Sequence, residues 1–159
     1  MFKDNLKILL HKQSLFVFVL KILGALSRHS VFDGIIQNST LVLAKLNVRI
    51  IGPKSSTNAR GLAEQWKAMM PADGQEFFKI TSVTKDTAYT EIHLHCPLRG
   101  SGDVKACHKL MNYDRQLMKS IGGQLVVLSS QSNSGQSFCQ LAIRKSNQSA
   151  TDLTPAHKA

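Results

Sequence analysis

Acidic residues are scarce in this chain of 159: ten Asp and Glu stand against twenty Lys and Arg, for a net charge of +10. Such an excess favours an acidic partner, whether nucleic acid, an anionic membrane surface or an acidic small molecule. Aromatics are also few, at 6 %, and the basic residues are scattered with no rings interleaved among them. A nucleic-acid surface needs a cationic track and stacking rings together, so no nucleic acid is expected as partner. Cysteine is limited to Cys96, Cys107 and Cys139. An odd, widely spaced set argues against a disulfide scaffold and points to free thiols in the cytoplasm. The last absence is of a long apolar run. LFVFVLKILGAL over 15–26 is broken by Lys21 and is shorter than the roughly 20 residues a spanning helix needs. Lys3, Lys7 and Lys12 precede that run as in a signal peptide, but Lys21 and the lack of a small-x-small site weigh against one. Residues 2–26 are expected to form either a core helix or an interfacial helix touching a membrane surface.

The remainder suffices for one domain over 1–145 with a sizeable core. Residues 1–72 read as its helical part. Asp33 starts a further helix through Ile35, Ile36, Leu41, Leu43 and Leu46, and Gly52-Pro53 ends it. GLAEQWKAMM is a short helix stopped by Pro71, with Trp66 and Met70 packing inward. From 77 the hydrophobic period falls to two. FFKITSVT and TAYTEIHLH read as a hairpin turning at Lys85-Asp86; QLVVLSSQ and SFCQLAIRK read as another turning over 132–135. Between them, 103–121 reads as one helix stopped by Gly122-Gly123. The fold class is therefore α+β: N-terminal helices, then a ββαββ part over 77–145 with its helix on a four-stranded antiparallel sheet. The polar segment 146–159 lacks periodicity and is expected to be disordered.

Asp114 is the residue out of place. At 100° per residue, Val104, Cys107, Leu110, Met111, Leu117, Met118 and Ile121 form one stripe with Asp114 in its middle, while Lys105, Lys109, Asn112, Gln116 and Lys119 face water. A carboxylate in such a stripe must be hydrogen-bonded, paired or protonated. It is either a structural partner of a neighbouring element or part of a site. Strand alternation sends Thr90, Ile92, Leu94 and Cys96 to one face, and Cys139, Leu141 and Ile143 to one face of the last strand. All three cysteines thus converge with Asp114 on one helix–sheet interface. Each alone is equally well a core filler.

The loop CPLRGSGD adds Arg99, a potential carboxylate clamp, and Gly100 and Gly102, which allow a backbone to approach a ligand. It leads into a helix N-terminus capped by Ser101 or Asp103, whose field would favour an anion and a Cys96 thiolate. His93, His95 and His108 are metal-ligand types, but His93 and His95 point away from Cys96. No metal and no cofactor are expected.

Cys96-Pro97 after a strand, Cys107 and Asp114 seven apart on a helix, and Gly135 leading to Cys139 on a hairpin resemble the C-terminal part of the L-2-amino-thiazoline-4-carboxylic acid hydrolase family. More distantly, they resemble the 4-vinyl reductase type of small-molecule-binding domain. The first resemblance implies hydrolytic opening of a small cyclic C=N substrate carrying a carboxylate. Asp114 would then be the acid–base group and Cys96 a nucleophile in a pocket lined by Cys107 and Cys139, and the loop as read above would set Arg99, Gly100 and Gly102 at its mouth to bind the substrate. The second implies binding or sensing of an apolar ligand without turnover. In either case the partner is a small molecule, anionic in view of the charge, and a homo-oligomer is compatible with the sequence. A basic membrane-surface protein is the third alternative.

Overall fold

A computed structural model describes residues 12–133 and 135–158. The early part of the 2–26 segment and Ser134 of the second hairpin lie outside these residues. Three helices come first: α1 (Gln13–Ser27), α2 (Asp33–Ile51) after a 3-10 turn at Ser30–Phe32, and α3 (Ala59–Ala68). Gly52 closes α2 in the left-handed region, φ 66°, returning its N–H to the Val48 carbonyl. Asn58 caps α3 by accepting the Gly61 N–H at 2.8 Å. Among the described residues no helix is long and apolar enough to cross a membrane.

Four strands follow the period of two: β1 (Phe78–Val83), β2 (Ala88–Ile92), β3 (Gly123–Ser129) and β4 (Cys139–Lys145). They form one antiparallel sheet in the order β1-β2-β4-β3. The fold is thus α+β, with helices packed on a four-stranded antiparallel sheet. The chain leaves β2, crosses over the sheet through α4 (Val104–Leu110) and α5 (Asn112–Ser120), and enters at the far edge as β3. Strand β4 then fills the slot between. The core lies under α3 and α5, where Trp66, Leu62, Leu117 and Met118 meet Phe78, Leu141 and Ile143, all fully buried. Trp66 and Phe78 meet edge to face at 5.7 Å.

Three expectations need correction. The helix over 103–121 is two helices. Met111, at φ −68° and ψ 0°, breaks the α pattern between them. Each half follows its own neighbours: α4 packs on α1, α5 on α2 and β3. Second, the outer side of this pair is not all in water. Lys109 Nζ pairs with Asp33 at 2.5 Å and donates to the Ser27 carbonyl, and Asn112 Nδ2 donates to Thr40 Oγ1 at 2.8 Å. The cause is that α1 and α2 wrap over it. Third, the segment from Ser146 folds back on the sheet instead of being disordered. The Ala156 N–H donates to the Val127 carbonyl at 2.8 Å, satisfying part of the open β3 edge, and Ala156 is buried. Arg144 holds the return through Asp152 at 2.6 Å and the Ser149 carbonyl.

Candidate functional site

The break at Met111 borders a cavity of about 140 Å³. Its helical walls are Leu15, Val19 and Leu23 of α1, Leu43 and Asn47 of α2, and Leu110, Met111, Tyr113 and Asp114 around the α4–α5 junction. The sheet supplies Phe78, Ile92 and Cys139, which are register neighbours at one end of β1, β2 and β4. Leu94 and Cys96 continue the alternation of β2 beyond its last hydrogen bond and line the same space with Cys107. Asp114 and all three cysteines therefore meet at one cavity.

Asp114 is buried there, and its Oδ1 accepts the Trp66 indole N–H at 2.9 Å. No other side chain among the described residues hydrogen-bonds this carboxyl. Burial pushes it up to about 6, although the Trp66 bond and the field of Arg115 both pull it down. The Asn47 amide donates to the Tyr113 hydroxyl at 2.6 Å and to the Met69 carbonyl. Burial also holds Tyr113 well above the usual phenol range.

The thiols are not activated. Burial raises Cys96, against a lowering contribution from the Leu98 N–H. It raises Cys107, whose sulfur accepts from the Ser130 hydroxyl at 2.9 Å. It pushes Cys139 up to about 12. The thiolate that a nucleophile requires is thus disfavoured at all three.

The glycine loop is placed elsewhere. Arg99 Nε donates to Gln131 Oε1 at 2.8 Å and its Nη2 donates to the Ser137 carbonyl at 2.6 Å. The Gly100 and Gly102 N–H groups donate to the Gln131 and Ser132 carbonyls, each at 2.8 Å. Arg99, Gly100 and Gly102 therefore tie the loop to the β3–β4 turn and do not line the cavity. Asp103 caps α4 by accepting the Ala106 N–H, so a carboxylate already occupies that helix N-terminus. His93 stacks on Phe138 and bonds Glu91 on the outer face. No cluster of three metal-ligating side chains occurs among the described residues.

No protein-family model matches the chain, and no curated protein or solved structure matches it either.

Two features escaped the sequence reading. Gln131 is fully buried and uses both ends of its amide: Oε1 accepts the Cys96 N–H, and Nε2 donates to the Ile92 and Leu94 carbonyls. It holds the Leu94–Cys96 wall in place. Trp66 was legible as a core residue but not as the partner of Asp114. The signal existed: a buried indole needs an acceptor, a buried carboxyl needs a donor, and the chain has one Trp.

Proposed function

We propose that this chain is a small-molecule-binding domain. Its ligand is mainly apolar, has roughly six to ten non-hydrogen atoms, and is anchored by one hydrogen bond to Asp114. The size follows from comparison with apolar cavities of about 150 Å³, which hold benzene. The observation that carries this reading is the buried Asp114 carboxyl on the wall of a mostly apolar cavity, with one oxygen fixed by Trp66. Among the described residues no Lys or Arg lines the cavity, so a ligand carboxylate would meet Asp114 without a counter-charge from them. A neutral hydrogen-bond donor fits better than an anion. This is the binding role implied by the resemblance to 4-vinyl reductase-type domains.

The hydrolase reading keeps one supporting observation. A carboxyl titrating at about 6 is suited to general acid–base work near neutrality. It would act through Asp114 alone, because burial disfavours the Cys96 thiolate.

The test uses the intact protein and Trp66 as its single indole reporter, in contact with Asp114 and Phe78 of the cavity wall. Phenol and aniline are titrated against benzoate. Phenol and aniline are expected to change Trp66 emission and raise the melting temperature; benzoate is not. Val19→Phe at the cavity wall should weaken binding at least about tenfold. No response to phenol or aniline at millimolar concentration would falsify the binding reading. Turnover of a cyclic C=N substrate, lost by about a hundredfold or more in Asp114→Asn, would establish the hydrolase instead.

A further inference from the structure

Helix α1 buries only Gly24 and Ser27 fully, although Leu15 through Leu20 are all large and apolar. Phe18 is 60 % exposed and Val42 on α2 is 61 % exposed; Ile22, Ile35 and Leu46 are exposed beside them. A cluster of large apolar side chains in water marks an interaction surface more often than a solvated face.

Helix geometry orders this surface. At 100° per residue, Ile22 and Phe18 lie next to the cavity-lining side of α1, and Lys21 lies beyond them. On α2, Leu46, Ile35 and Val42 lie next to the cavity-lining side, and Arg49 and Lys45 lie beyond. The result is an apolar strip along the α1–α2 seam with cations on both outer edges. Lys45, Arg49 and Lys119 also share a shallow groove on the α2 edge. Between residues 12 and 51 the only acidic side chain is Asp33, and Lys109 already holds it. Lys21, Lys45 and Arg49 take part in no ion pair among the described residues.

We infer that the α1–α2 face docks on an anionic lipid surface. Phe18, Ile22, Val42 and Leu46 enter the boundary between headgroups and acyl chains, and Lys21, Lys45 and Arg49 meet the headgroups. Charge decides against a second copy of the chain, because two such faces pressed together would oppose cations without acids. The docked face also carries the cavity wall: Leu15, Val19 and Leu43, half-buried, and Leu46, exposed, all line the cavity. A membrane-dissolved apolar molecule would then reach Asp114 without crossing water. That last step rests on the proposed ligand-binding role; the docking does not.

The test is sedimentation of the full chain with vesicles of phosphatidylcholine, alone or with about a third phosphatidylserine, at low and high salt. Binding is expected to the anionic vesicles and to weaken more than tenfold at high salt. Lys21→Glu, Lys45→Glu and Arg49→Glu should each weaken it by about fivefold or more. Phe18→Ser with Val42→Ser should weaken it at least tenfold, with melting temperature unchanged because both sites are exposed. Asp114→Asn should leave vesicle binding intact, so docking and ligand binding fail separately. Absence of binding to anionic vesicles overturns the inference. So does binding that survives both sets of substitutions, or a dimer that the Ser variants dissociate in the absence of vesicle binding.

Discussion

At the scale of single residues, Asp114 makes a contribution of its own to the pH dependence of stability. Its carboxyl goes from an ordinary 3.8 to about 6 on folding. Below 3.8 the folded and unfolded chains are both protonated there. Above it the unfolded chain releases the proton first, so the native state binds more protons and stability falls as pH rises to about 6. The shift corresponds to roughly 2–3 kcal/mol at neutral pH. Asp114→Asn keeps an oxygen to accept from Trp66 but cannot ionise. Its stability relative to the wild type is expected to improve by about 2 kcal/mol or more between pH 3.5 and pH 7. Urea melts at the two pH values measure this, and an equal difference at both would refute the assigned shift. A group that weakens the fold at neutral pH is consistent with the binding role proposed for Asp114.

At the scale of elements, α1 is seated by one close approach. A Cβ built on Gly24 would lie 2.6 Å from Pro97 Cγ. Gly24→Ala must therefore push α1 away from the 96–98 loop, and a loss of about 1–3 kcal/mol is expected in thermal or urea melts. A wild-type melt would mean that the loop yields without cost. The sequence patterns revealed the elements well because each kind repeats: 3.6 for the helices, two for the strands. The Asp114 stripe and the inward cysteines followed from those periods and met at one cavity. Arg99 was not legible in the same way. Its direction depends on Gln131 and Ser137, more than thirty residues later and marked by no period. The break at Met111 was hidden because the apolar stripe continues across it.

At the scale of the whole molecule, the segment from Ser146 was misread because its contacts follow no period: backbone bonds at Ser146 and Ala156, side-chain bonds around Gln148, and the grip of Arg144. Removing residues 149–159 is expected to lower the melting temperature and to produce concentration-dependent light scattering, because the β3 edge at Val127 opens to pair with other chains. A truncated protein that stays monomeric with an unchanged melt would show the segment to be dispensable. The strand order has a separate consequence. Strand β3 joins the sheet only through β4, and β4 is the last strand in the chain. The first hairpin and the β3–β4 hairpin can each form locally, but the pairing of Ile92 with Cys139 must close the whole α4–α5 crossover. That closure brings the Cys139 wall to Asp114. The Cys139 wall of the cavity is therefore complete only where β4 lies between β2 and β3, so the site depends on the longest-range strand pairing of the sheet.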